Sequence, residues 1–186
     1  MMAQFNSLTI TQDGLELQSK AQTGTTLNFT RAAVGDGELP DGTNLIDLSS
    51  LINEKESLNL TDLFVDGSGN ARARATVSNQ GLATGFYIRE IGLFANDPDK
   101  GEILYCVANA GQYADFLPAG TGSDIVESTL DLVTIVGNAE NVTAQIDESL
   151  TYVTVKDIND KLDLETADHQ YKLVVIDGSL VLEEVL

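Results

Sequence analysis

The stretch "GFYIREIGLFA", residues 85–95, constrains the fold more than any other part of the chain. Phe86, Ile88 and Phe94 fall on one parity of an extended chain, and Tyr87, Ile91 and Leu93 on the other. A strand here is apolar on both faces and belongs inside a layered fold. Arg89 and Glu90 interrupt it. An unpaired charge in such a place costs roughly several kcal/mol, so each needs a partner from the rest of the molecule.

Around this strand the chain reads mostly as strand and turn. In "LTITQDGLELQSKAQTG" (8–24), Thr9 and Gln12 stand at capping-box spacing, helix formers follow, and Gly24 is a stop, which predicts a short helix. "TTLNFTRAAVG" (25–35) alternates Leu27, Phe29, Arg31 and Ala33 against Asn28, Thr30 and Ala32, as a strand does. "GDGELPDGTN" (35–44) is concentrated turn chemistry with carboxylates. Two readings of it stand: a plain acidic loop, or a calcium site, which needs about six to eight oxygen ligands and lacks the closing Glu of an EF-hand. "LIDLSSLI" (45–52) fits one or two helical turns. "ESLNLTDLFV" and "ARARATVS" flank "DGSGN" as an antiparallel hairpin, with Ala71, Ala73, Ala75 and Val77 on one face and Arg72 and Arg74 on the other, facing solvent or cross-strand partners such as Glu54, Glu56 or Asp62. "EILYCVANA" (102–110) is the expected partner of the opening strand, "GQYADFLPAGTGSD" an irregular loop, and "ESTLDLVTIV" with "VTAQID" a further hairpin across "GNAEN". The fold class is α+β: a mostly antiparallel sheet domain with a short N-terminal helix.

After residue 147 the pattern changes. Tyr152, Val155, Asn159 and Leu162 recur at spacings of three, four and three, a heptad-like seam of barely two heptads on a helix that needs a neighbour to hold it. "YKLVVIDGSLVLEEVL" (171–186) reads as a hairpin around Asp177 and Gly178, too small to be stable alone. The expected organisation is a domain at 1–147, a short helix and linker at 148–168, and a hairpin appendage at 169–186.

Ten basic residues against 29 acidic give a net charge of -19, which repels phosphate backbones and anionic lipid heads, so neither nucleic acid nor membrane is an expected partner. The start lacks the features of a signal peptide and no apolar run approaches a membrane span, so synthesis and folding in a reducing cytoplasm are expected. Cys106 sits in an apolar run without a basic neighbour, and the single histidine, His169, has no second ligand or triad partner nearby. With no phosphate-cradling loop and no dinucleotide fingerprint, no enzyme, cofactor or metal is expected.

Taken in order and spacing, "LTITQDGLELQSKAQTGTTLNFTRAAVGDGELP", "GFYIREIGLFANDPDKGEILYCVANAG", "STLDLVTIVGNAENVTAQID" and "TYVTVKDINDKL" resemble the N-terminal domain of the phage tail-collar fibre family. Its members attach tail fibres to the baseplate of contractile-tailed phages and of phage-tail-like bacteriocins. The resemblance implies a structural virion protein of a tail or tail-like particle whose partners are baseplate and tail-fibre proteins. It also implies a homo-oligomer, a trimer being favoured through Tyr152, Val155 and Leu162. Arg89, Glu90 and Asp36 of "AVGDG" fall in its most specific segments and are expected in interaction, not catalysis. Arg89 and Glu90 are expected on opposite faces of their strand, each paired with the surrounding sheet or an adjoining subunit. The chain lacks the long shaft and receptor-binding tip usual in the family, which favours an adaptor between baseplate and fibre. The alternative is a receptor-binding tail protein that recognises a host surface glycan.

Overall fold

The computed structural model describes residues 5, 7–66, 68–120, 125–137, 139, 141–147, 165–166, 169–176 and 179–185. The chain splits into two compact units, Met1–Ser149 and Leu150–Leu186. In the first, strand β1 (Thr9–Ile10) leads into helix α1 (Gln12–Ala21), followed by β2 (Leu27–Gly35), β3 (Glu54–Leu58), β4 (Leu60–Val65), β5 (Asn70–Ser78), β6 (Phe86–Ile88), β7 (Glu90–Asp97), β8 (Gly101–Asn109), β9 (Asp115–Leu117), β10 (Glu127–Ile135) and β11 (Val142–Ala144). The second contains β12 (Glu165–Thr166), β13 (His169–Ile176) and β14 (Ser179–Val185), an antiparallel sheet in that order. The protein is a sheet-dominated α+β fold with one α-helix near the N-terminus among the described residues. The expected helix carrying Tyr152, Val155 and Leu162 lies outside the described residues.

The larger sheet of the first unit runs β1-β8-β7-β2-β11, with β3 also on β2. Strand β3 pairs antiparallel with Ala32–Gly35 while β11 pairs parallel with Leu27–Phe29, so the two share one edge of β2 end to end. A second sheet, β10-β5-β4, meets the first through one core containing Leu17 of α1, Phe29, Val34, Ile91, Leu93, Tyr105 and, from the second sheet, Ala71, Ala73, Ala75, Val77 and Leu132. On the back of the larger sheet, Ala33, Phe94, Leu104 and Val107 form a smaller core with Leu51, and Leu45 and Leu48 pack against it. The segment between β2 and β3 is thus a strap across that face.

Several expectations shift in detail. The helix is capped by Thr11, not Thr9, because Thr9 and Ile10 are drawn into the sheet opposite Val107 and Cys106. The Thr11 hydroxyl accepts from the Gly14 N–H at 3.0 Å and donates to the Leu104 carbonyl. A Cβ at Gly14 would collide with the Tyr105 carbonyl, so this glycine lets helix and strand touch. In β2 a bulge between Phe29 and Arg31 resets the alternation: Leu27, Phe29, Ala32 and Val34 face the main core, and Ala33 faces the other side. "LIDLSSLI" holds a single 3-10 turn, Leu45–Asp47. "ESLNLTDLFV" breaks at Asn59, so only β4 makes the hairpin with β5. "GQYADFLPAGTGSD" is not wholly irregular, since it supplies a 3-10 turn, Gly111–Tyr113, and β9.

The expected hairpin across "GNAEN" does not form. β10 pairs antiparallel with β5 along its whole length, and β11 pairs parallel with β2. The Val136 and Gly137 N–H groups both donate to the Gly69 carbonyl, closing β10 against the β4–β5 turn. Val142 and Ala144 then pack on the main core and complete the edge of β2 that β3 leaves open. Both ends of α1 are tied to the β7–β8 turn: Lys100 Nζ lies 2.7 Å from Asp13 and 2.6 Å from Glu16, and Lys20 Nζ 2.8 Å from Asp97 and from Asp99.

Candidate interaction site around Glu90

The opening stretch is two strands, not one. β6 pairs with β9, and β7 is held between β2 and β8. The change of partner falls on Arg89, whose N–H donates to the Gly35 carbonyl at 2.8 Å while its own carbonyl accepts from Ala110 at 2.8 Å. The break reverses the side-chain phase, so Phe86 before it and Ile91, Leu93 and Ala95 after it all reach the main core. Only β7 is dry on both faces, and Tyr87 is 48% exposed.

Glu90 comes to rest opposite Gly35 on β2 and Asn109 on β8, with no exposed surface. Its carboxylate accepts three backbone hydrogen bonds, from Ile52 at 2.9 Å, Asn53 at 3.0 Å and Gly37 at 3.1 Å. These donors lie at the two ends of the strap, so one side chain pins both. The glycines of "AVGDG" make room for it: a Cβ would come within 2.7 Å of Glu90 Oε2 at Gly35 and 2.5 Å at Gly37. At Gly35 it would also meet the Asn53 carbonyl at 2.5 Å. Such a charge-assisted set of bonds can support a buried carboxylate without an opposing cation.

Arg89 and Glu90 do not pair with each other. The Arg89 guanidinium donates to the Asp36 carbonyl at 3.2 Å, approaches Glu38 at 3.4 Å, and lies 5.1 Å over the Tyr87 ring. The Asp36 carboxylate accepts from the Asn53 side chain at 2.6 Å and faces Lys55 at 3.3 Å. Asn109 Nδ2 adds a bond to the Gly37 carbonyl at 3.2 Å. Arg89, Glu90 and Asp36 are therefore brought together around the strap. Tyr152, Val155 and Leu162 lie outside the described residues.

This arrangement holds a loop in place. The Glu90 oxygens are engaged by backbone donors. Burial pushes the Cys106 thiol up to about 12, so little reactive thiolate forms. Among the described residues no group of three His, Cys, Asp or Glu side chains is placed to hold a metal ion.

Two surfaces bear the composition of contact sites, aromatic and aliphatic side chains beside arginine. On β6–β9, Tyr87 and Phe116 stand opposite each other with ring centroids 5.1 Å apart and planes inclined by 59°, adjacent to Arg89. On the outer face of the second sheet, Phe64 (61% exposed) and Val133 flank Arg72, with Ile135 (59% exposed) two residues further along β10. There Arg74 bonds Asp131 at 2.9 Å and lies 3.7 Å from Asp62, while Glu54, considered above as its partner, binds Arg31. A shallow depression of about 420 Å³ on this face is lined by Phe64, Arg72, Arg74 and Val133, among others. Sequence reasoning missed Phe64 and Val133, although Val133 and Ile135 share a parity in "TLDLVTIV" that a half-exposed strand turns outward.

Over residues 1–156 the chain matches the family model described as phage tail-collar fibre protein, N-terminal. The chain belongs to this family. It is a structural component of a phage tail, and membership implies association with other tail components in the virion tail. No curated protein and no solved structure matches it. Among the described residues no helix is long and apolar enough to cross a membrane.

Proposed function

We propose that the chain is an attachment module that joins a tail fibre to the baseplate of a contractile tail or tail-like particle. The observation that carries the proposal is the convergence of the two most specific family segments, "AVGDG" and "GFYIREIGLF", on one buried clasp that shapes a surface and assembles no reaction centre. In this reading the strap and the adjoining Tyr87–Phe116 ribbon form a docking face, with Glu90 and Asp36 fixing its shape and Arg89 at its rim. Copies associate through the seam Tyr152, Val155 and Leu162, a trimer being favoured, and the C-terminal segment from about residue 169 presents the next component.

Immunogold electron microscopy on intact particles, with antibody to this chain, tests the proposal. Label at the baseplate, proximal to the fibres, is expected; label confined to distal tips or absent from every tail-like particle refutes it. Arg89→Met in the assembled particle separates rim contact from internal pairing: it is expected to impair fibre attachment while leaving the isolated protein's melting temperature within a few degrees. The exposed aromatics Tyr87, Tyr113 and Phe116 favour a second reading, direct contact with a host glycan, because such rings stack on sugar faces. Binding of the purified protein to host cells, lost on Tyr87→Ala and Phe116→Ala, would support that reading over the adaptor.

A further inference from the structure

Aspartate followed by glycine is a pair that rearranges without an enzyme when nothing holds it. The glycine main-chain nitrogen, on losing its proton, attacks Cγ of the neutral aspartic acid; the N–Cγ bond forms, a Cγ–O bond breaks, and water leaves from a closed imide ring. Water reopens the ring at either carbonyl. Addition at Cγ restores aspartate, whereas addition at the aspartate main-chain carbon breaks the C–N bond there and gives isoaspartate, with the backbone rerouted through the former side chain. Closure requires a glycine N–H without an acceptor, a carboxyl not pinned as an anion, and space around the glycine, whose lack of a Cβ is the reason this pair reacts.

Asp–Gly occurs at five places, beginning at Asp13, Asp36, Asp41, Asp66 and Asp177, of which Asp177 lies outside the described residues. Three of the others are held. At Asp13 the carboxylate lies 2.7 Å from Lys100 Nζ, and the Gly14 N–H donates to Thr11 in the first turn of α1. At Asp36 the carboxylate is engaged by Asn53 and Lys55, and the Gly37 N–H donates to Glu90 at 3.1 Å. Asp66 accepts from the Asn70 side chain at 2.9 Å and from the Asn70 and Ser68 amides at 2.9 and 2.8 Å. Those bonds hold its carboxyl below its ordinary value and so deplete the neutral form that reacts. Asp41 differs on every count. It stands at the exposed bend of the strap, in a turn closed by the Thr43 N–H on the Pro40 carbonyl at 3.1 Å. Among the described residues no hydrogen bond or ion pair holds its carboxylate or the Gly42 N–H. Gly42 has φ +79°, and a Cβ there would meet nothing within 4 Å.

We infer that Asp41–Gly42 is a site of spontaneous modification, the pair at which the folded chain converts to isoaspartate while the clasp around Glu90 protects its neighbour Asp36–Gly37. The strap's anchors, Gly37, Ile52 and Asn53, flank the bend, so conversion adds one methylene to its exposed surface and leaves the fold in place. The inference does not require the adaptor reading.

Incubation of the full-length protein for several weeks in heavy-oxygen water near physiological temperature, at about pH 6, tests it, because every ring opening leaves one heavy oxygen at the aspartate that closed. Peptide mass spectrometry is expected to find label at Asp41 about tenfold above Asp13, Asp36 and Asp66, and backbone fragmentation to show isoaspartate there. In urea the three held pairs are expected to label within a few-fold of Asp41, since only the fold distinguishes them. Glu90→Ala, which frees the Gly37 N–H, is expected to raise labelling at Asp36 about tenfold and leave Asp41 unchanged; should that variant not fold, the urea comparison decides alone. Asp41→Glu, whose longer side chain closes the ring poorly, is expected to lose the label at this position with a melting temperature within about 2 °C of the parent. Folded protein labelled no faster at Asp41 than at the held pairs, or held pairs labelled equally fast when folded and in urea, would overturn the inference.

Discussion

Replacing Glu90 separates its effect on the strap from its effect on the rest of the fold. Glu90→Ala removes the acceptor of three backbone donors, Gly37, Ile52 and Asn53, and leaves them facing a pocket hemmed in by the sheet. A buried unsatisfied donor costs about 1–3 kcal/mol, and water entering the vacated space recovers part of that, so the expected loss is about 4 kcal/mol. For a chain of this size that is a fall in melting temperature of roughly 10 °C. Glu90→Gln is the sharper test because its volume is the same. Its single oxygen can occupy the Oε2 position and serve Gly37 and Asn53, but its amide then faces the Ile52 N–H donor to donor, for a loss of about 2 kcal/mol. Thermal unfolding and amide exchange on the same samples decide. The amides of Gly37, Ile52 and Asn53, and then the strap across Leu51 and Phe94, should open in Glu90→Ala well below the global transition. A melting temperature within about 2 °C of the parent, or a large fall with those three amides exchanging as before, would refute the assignment of Glu90 as the strap's anchor.

Gly37→Ala should destabilise the protein by about 1–3 kcal/mol, since the added Cβ meets both Glu90 Oε2 and Ile52 Cβ at 2.5 Å; denaturant unfolding measures this, and a neutral outcome would mean the strap shifts freely. Thr11→Ala should cost about 1–2 kcal/mol and speed exchange in the first turn of α1, because the Gly14 N–H loses its cap. Desolvation works to raise the Asp97 carboxyl, but the Lys20 ammonium and the Asp99 and Lys100 amides together outweigh it and hold the group below its ordinary value. Its folded pKa being depressed, its contribution is present above the ordinary carboxylate value and lost as pH falls through the folded one, so Asp97→Asn should be less stable than the parent at neutral pH and the difference should shrink as pH falls below about 4. Cys106 should resist a thiol reagent at pH 8 until the protein unfolds; its raised thiol pKa favours the folded state below the unfolded value, and that advantage declines as pH rises from about 9 towards 12.

Much of the fold was legible because it follows from local chemistry. The alternation in "ARARATVS" and the turn at "DGSGN" carry the β4–β5 hairpin, and "NDPDKGE" carries the β7–β8 turn. What sequence reasoning misplaced depends on partners remote in the chain. Nothing in "VTAQID" says that it pairs with Leu27–Phe29 in parallel rather than with its neighbour β10, because adjacency favours the hairpin and only the open half of the β2 edge overrides it. The parity of "GFYIREIGLFA" misled for a related reason. Periodicity assumes an unbroken strand, whereas the chain changes partner at Arg89 and turns each later side chain over.

The candidate site was half legible, and the reason lies in what Glu90 binds. A side chain held by other side chains leaves complementary residue types in the sequence, as Lys100 does with Asp13 and Glu16. A carboxylate held by backbone N–H groups leaves none, since every residue but proline carries that donor. The trace that survives is negative: two positions beside the carboxylate, Gly35 and Gly37, have no side chain, because a Cβ there would come within 2.7 Å and 2.5 Å of Glu90 Oε2. The glycines of "AVGDG" look like turn chemistry and the charges of "YIREIG" look like an ion pair. Neither reading is needed once the two segments are brought together, for the glycines open the pocket and the strap's own backbone supplies the hydrogen-bond donors.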